Sequence, residues 1–311
     1  MQEQTKGRSM GRHCWAGLLC LAGLISVTRL LGDSVTLRPR ADTSLFASFP
    51  DNNLGSNSNL VSGANGSGLA SRALIRFDVA NQIPSNAVIQ SAVLTLNVVI
   101  VPGGGGVSSV HDLRRVLLDW EEGTGTGNSG SPANDGEATW NDRFHPSTPW
   151  TVPGGSVSND FSGTVSASTL ISGPGRYAFG STINLVADVQ QWLLNPSANF
   201  GWILMSESEG TAFTARRFGS REDTNDAPGL VVQYALPAAT AIQNITAAGG
   251  QVQLSLLAPA GQPRTVQYRD SLTSGTWLTL TNIAPQITTT HLTVLDPYPT
   301  NAQRFYRTGA F

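Results

Sequence analysis

Ser71-Arg72-Ala73-Leu74-Ile75-Arg76-Phe77-Asp78-Val79 decides the fold class. Successive side chains of an extended chain point to opposite faces, so Ala73, Ile75, Phe77 and Val79 share one side. Arg72, Leu74, Arg76 and Asp78 share the other. This is the pattern of a half-buried strand. Residues 91–99 repeat it, with Ala92, Leu94, Leu96 and Val98 inward. Working outward, further strands are expected at 34–37, 111–117, 176–179, 201–206, 212–218 and 230–234. Short strands separated by turn residues at this spacing predict an all-β sandwich of the jelly-roll kind. One helix interrupts them. In 184–194 the residues Leu185, Val189, Trp192 and Leu193 fall on one helical face, and Asn195-Pro196 stops it. Two long irregular stretches, 121–142 and 144–170, are rich in Gly, Ser and Pro and are punctuated by Trp120, Trp140 and Trp150.

The composition agrees. Of 311 residues, 13% are charged and 40% hydrophobic, with 33 glycines and 17 prolines. So low a charge content argues against coiled coil and long solvated helices, while the apolar share suffices for a core. Lys6, Arg8 and Arg12 followed by the apolar run 15–27 read as a secretory signal over residues 1–32, too short to span a bilayer comfortably. Both cysteines, Cys14 and Cys20, lie inside it. The exported chain then has no disulfide, thiol nucleophile or cysteine metal site, and no transmembrane segment. It carries 15 arginines against 20 acidic residues, net −5. Such a balance excludes nucleic-acid binding by bulk charge.

Composition shifts near Leu236. The expected organisation is a large jelly-roll domain over 33–235, a linker over 236–240, and a small immunoglobulin-like or fibronectin III-like sandwich over 241–311, with strands at 251–257, 265–269, 277–281, 288–295 and 303–307. The larger region is acidic, with 11 arginines against 18 acids, and the smaller is basic, with 4 arginines against 2 aspartates.

Several motifs resemble the DNRLRE-domain family. They are Ala41–Phe46 with Asp51–Gly55, Arg72–Val79 followed by Ile83-Pro84 and 91–96, Leu185–Trp192 leading to Asn199–Leu204, and Phe218–Glu222 followed by 227–232. The resemblance covers about residues 34–234. It implies a jelly-roll sandwich, and it includes carbohydrate-binding module family 96, whose members bind alginate-type acidic polysaccharides. Tyr268-Arg269, Trp277 and Arg304–Arg307 resemble strand positions of fibronectin type III modules.

Three groups of residues are candidates for function. Arg72 with Arg76, Arg114 with Arg115, and Arg216, Arg217 and Arg221 could pair with the carboxylates of a uronate polymer, since a guanidinium fork matches a carboxylate. The competing reading is structural ion pairing, because Asp78, Asp112, Asp119, Glu222 and Asp223 stand close in sequence. Trp120, Trp140 and Trp150 could stack on pyranose rings; alternatively they seal the loops onto the sandwich. Asp42 and Asp51, with Asp223 and Asp226, are oxygen-rich and are candidates for a structural calcium ion, although neither run has EF-hand spacing and such residues also make ordinary turns. No cofactor beyond that ion is expected. Catalytic signals are poor. The zinc-protease string is absent, the nucleophile-elbow string is absent from residues 33–311, and Gly125–Gly130 fits the dinucleotide string but is followed by Ser131-Pro132 rather than a helix. The expectation is a secreted or cell-surface, non-catalytic polysaccharide-binding protein, with other surface proteins open as partners. A structural matrix protein without a glycan ligand is the alternative, and a uronate-degrading enzyme comes after it.

Overall fold

The computed structural model describes residues 32–236, 240–259, 263–297, 299 and 303–310. Chain order gives β1 (Asp33–Leu37), β2 (Pro39–Phe46), β3 (Asn52–Asn53), β4 (Asn59–Ala64), β5 (Ala70–Phe77), β6 (Val88–Ile100), β7 (Ser109–Val116), β8 (Ser131–Pro132), β9 (Asp142–Phe144), β10 (Thr148–Pro149), β11 (Phe161–Ile171), β12 (Gly175–Phe179), α1 (Ile183–Leu194), β13 (Trp202–Ser206), β14 (Arg216–Gly219) and β15 (Gly229–Ala235). Eleven of these strands form one curled antiparallel sheet. Its path is β1-β15-β6-β14-β4-β5-β13-β7-β11, with β12 on β6 and β2 on β5. The curl brings two halves face to face. Leu37, Leu94, Leu96, Val98, Phe218, Leu230 and Val232 from one half meet Ala73, Ile75, Phe77, Leu113, Trp202 and Leu204 from the other. Trp202 sits at the centre, its ring 4.4 Å from Trp192 and 6.1 Å from Phe77. The all-β sandwich expected from the alternating stretches is therefore present, and the inward set of β5 is the one read from sequence.

The helix forms where its apolar face was read. The Thr182 side chain caps its N-terminus by accepting from the Leu185 N–H, and Asn195 ends it before Pro196. Leu185, Val189, Trp192 and Leu193 are buried against β6 and β11. No helix among the described residues is long and apolar enough to cross a membrane.

The outward face of β5 is not open to water. Leu74 is fully buried in a second cluster with Leu45, Val116, Trp120, Ala138, Trp150, Phe161 and Ile203. The segment 117–160 folds back over this half of the sheet as a roof. Asn53 anchors it. Its Nδ2 donates to Glu122 O at 2.6 Å and to Ala138 O at 2.8 Å, and its Oδ1 accepts from the N–H groups of Gly55 and Gly125. The backbones approach so closely that a Cβ on Gly125 would stand 1.9 Å from Asn53 O, so only glycine fits there.

Two sequence expectations need correction. The irregular stretch 144–170 ends early, because 161–170 belongs to β11, an eleven-residue strand paired with β7. Its serines and threonines hid it. The strand expected over 212–218 begins only at Arg216, because Phe213 adopts a left-handed backbone at φ 66° that no strand accommodates.

Residues 241–310 add β16 (Ala241–Ala248), β17 (Gln251–Ala258), β18 (Arg264–Arg269), β19 (Leu278–Ile283), β20 (Thr290–Asp296) and β21 (Phe305–Ala310). They make two three-stranded antiparallel sheets, β16-β17-β20 and β19-β18-β21. Leu254, Leu256, Val266 and Ile283 form their own buried cluster. The export signal expected over 1–32 lies, apart from Gly32, outside the described residues, as do positions 237–239 of the expected linker.

Candidate functional site

The roof decides the fate of most arginines singled out in the sequence. Arg72 and Arg76 lie beneath it. Arg72 makes a two-pronged bond to Glu209, with Nε to Oε1 at 2.8 Å and Nη2 to Oε2 at 2.7 Å. Its guanidinium stands 5.1 Å from the Trp140 ring centroid, and its Nη1 donates to Gly154 O. Arg76 pairs with Asp119 at 2.7 Å and lies over Trp120 at 4.7 Å. Arg114 pairs with Asp112 and Arg115 with Asp188. Arg221 pairs with both Glu122 and Glu222. Each of these five arginines already has a carboxylate of its own, the arrangement that structural ion pairing describes.

The tryptophans follow the same logic. Trp120 and Trp150 are buried, with their indole N–H groups donating to Phe200 O and Thr139 O. Neither presents a ring face to a sugar. They seal the roof. Trp140 is half-buried, with Arg72 over its ring and the Gly154 backbone against its edge.

Arg216 and Arg217 differ, since no carboxylate pairs with either among the described residues. Arg216 is fully buried and spends its donors on backbone oxygens of Ser172, Val107, Thr214 and Ala215, at 2.7 to 3.1 Å. It pins three loops together. Arg217 follows on β14, between Val61 of β4 and Ile100 of β6. Among the described residues its side chain makes one hydrogen bond, from Nη2 to Asn128 O at 2.7 Å. Burial pushes both guanidinium groups below the usual arginine value, although a guanidinium remains charged at any ordinary pH. Both line a cavity of about 190 Å³, walled by Phe46, Val61, Ile100 and Pro102 and rimmed by Ser48, Asn65, Ser71 and Asn128. Arg216 directs its guanidinium into the interior, so an apolar wall, amide and hydroxyl groups, and the one Arg217 charge without a counter-anion make a compartment for a small polar anion.

The carboxylates chosen for calcium do not gather. Asp42 lies within 4.8 Å of Glu122 and Glu222, Asp51 lies within the same distance of Asp142 and His145, and Asp223 serves an Asx turn by accepting from the N–H groups of Asn225 and Asp226. Asp226 belongs to neither trio. The Asp42 trio has Arg221 in it as a counter-cation, bonded to Asp42 Oδ2 through its backbone N–H and to both glutamates through its side chain. Burial pushes Asp42 well above its usual 3.8, and burial likewise raises Glu122. These groups suit an ion-pair network better than the six to eight oxygens that calcium requires. Nothing in the sequence joined Glu122 and Glu222 to Asp42, or Asp142 and His145 to Asp51, since only the fold brings them together.

No curated protein matches the sequence. A family model does match, over 33–150, a stretch that runs from β1 through the roof to Trp150 and contains the motifs quoted for its first half. The match stops before β11 to β15, which complete the same sheet. That model is the one for carbohydrate-binding module family 96, so residues 33–150 are similar to that family as their motifs implied, and the similarity points to carbohydrate binding.

Proposed function

We propose that the chain is an exported, non-catalytic protein that binds an acidic, alginate-like polysaccharide. The observation that carries the acidic preference is Arg217, a half-buried guanidinium in the wall of a sugar-sized cavity, bonded among the described residues to a single backbone carbonyl. A uronate carboxylate would supply the missing charge through the fork geometry that arginine favours. The family match over 33–150 supplies the carbohydrate class. We take 33–235 as the binding module, since β1 pairs with β15, and 241–311 as a second, fibronectin III-like module that serves as spacer or contact surface. An extracellular location follows from the ligand class and from the signal read in residues 1–32.

One observation favours a structural protein without a glycan ligand: Arg72, Arg76, Arg114, Arg115 and Arg221 are all neutralised internally. Affinity electrophoresis of the full exported chain through gels containing alginate, pectin or a neutral glucan separates the two. Retardation by the acidic gels alone, weakened by salt and by Arg217→Ala, is the expected result; free migration in every gel rejects binding. Incubation with alginate is expected to release neither new reducing ends nor the 4,5-unsaturated uronate chromophore.

A further inference from the structure

The two halves of the curled sheet are treated unequally. The roof covers β5, β13 and β7, but on the outward face of β1, β15, β6 and β12 the residues Thr36, Thr95, Asn97, Val231 and Arg176 line a cleft together with Asn225 and Ala227 from the segment before β15. The alternation that buries Leu94, Leu96, Leu230 and Phe179 turns these strand positions outward, and register places Arg176 beside Asn97. Three clefts lie along this face and share their walls. The first joins Arg176, Asn97 and Thr95 to Thr36 and Arg38; the second continues from Arg38 to Arg40 and Asp78; the third runs from Arg40 past Asp78 to Asn199. Together they form one trough. It crosses the open sheet and turns the edge of the sandwich at Arg38, where the chain passes from β1 in one half to β2 in the other.

Arg38, Arg40 and Arg176 are exposed, and none is in an ion pair among the described residues. Among the described residues the Arg176 side chain makes a single long bond, to Asn97 Oδ1 at 3.3 Å. This contrasts with the arginines under the roof, each of which has its own acid. Among the described residues, Asp78 is the one carboxylate lining the trough. A net acidic protein has therefore left three unpaired cations along one continuous channel.

We propose that this trough is a second binding surface, separate from the Arg217 cavity, and that it holds an internal stretch of an acidic polysaccharide chain. The identity of the ligand rests on the function proposed above; the surface rests on its own geometry. Three clefts joined wall to wall offer length enough for the middle of a polymer, whereas a cavity of about 190 Å³ admits one sugar unit. Charge complementarity selects a polyanion, and the threonine and asparagine side chains can bond hydroxyl groups between carboxylates.

The test compares the full chain with the triple variant R38Q/R40Q/R176Q and with R217A, using long alginate, a short uronate disaccharide, a neutral glucan, a sulfated glycan and single-stranded DNA. The substituted side chains are exposed, so the melting temperature of the triple variant should stay that of the parent, and R38Q/R176Q serves as a milder second variant. The expected result is that the triple variant binds long alginate about tenfold more weakly and with a shallower salt dependence, as the loss of several surface contacts predicts, while binding the disaccharide as the parent does. R217A should lose the disaccharide and keep most polymer binding. Unchanged alginate binding by the triple variant overturns the trough and leaves the Arg217 reading standing. Tighter binding of DNA or of the sulfated glycan than of alginate overturns the uronate assignment. Failure of the parent to bind any acidic polymer overturns both readings.

Discussion

Asn53 Nδ2 donates to Ala138 O at 2.8 Å, bridging two positions 85 residues apart in the chain. Through this and its companion bonds, one buried amide holds the roof on the sheet. Truncation in N53A leaves several buried N–H and C=O groups without partners. We expect a loss of about 3 kcal/mol or more in unfolding free energy, read as a lower denaturation midpoint by urea titration. A loss within experimental error would mean that the roof is held by its tryptophans alone.

Arg216 should behave in the opposite way to its neighbour. Removing its guanidinium in R216M strands carbonyls of Ser172, Val107, Thr214 and Ala215 in the interior. Stability should fall by roughly 3 kcal/mol. R217A removes one bond at the cavity rim and should shift the melting temperature little while weakening uronate binding. Thermal melts of the two variants side by side check this.

The Asp42 site gives a pH dependence of definite sign. Burial raises its native value above 3.8, so the folded protein holds a proton there that the unfolded chain has already released. Over that window stability falls as pH rises. Glu122, raised by burial from 4.5, acts in the same direction. The melting temperature should therefore decline as the pH is taken upward from the unfolded carboxylate range near 4, and D42N should flatten that slope. A slope that is unchanged in D42N would place the titration elsewhere.

Calcium offers a separate check on the same trio. With Arg221 already bonded to Glu122 and Glu222, the charge that an ion would supply is present. Millimolar calcium and chelator are expected to give the same melting temperature for the parent. A rise with calcium would assign a metal to the trio, and R221A, which frees the carboxylates, is where such a rise is expected.

Much of the fold was readable because β5, β6 and α1 obey simple periodicities. Leu74 even hinted at the roof, since an apolar residue between Arg72 and Arg76 has no reason to face water. β2 and β4 were not readable. Their Asp42, Thr43, Ser44 and Ser62 are polar yet buried, each held by distant partners that no local pattern reveals. The charged residues were harder still. Arg72 and Glu209 stand 137 positions apart and Arg221 and Glu122 99 apart, so sequence neighbours such as Asp78 were poor guides to which arginines are neutralised. The trough was hidden for the same reason. Arg38 and Arg176 meet only because β1, β15, β6 and β12 lie side by side.

The pairing of β1 with β15 sets Asp33 directly opposite Tyr234. Tension applied at these two positions would draw the strands apart from one shared end, opening the Asp33–Leu37 ladder a rung at a time like a zip, rather than loading all its rungs in shear. Pulled from these two positions, the sheet would yield first at this seam, at low force, while the packed interior around Trp202 stays shut.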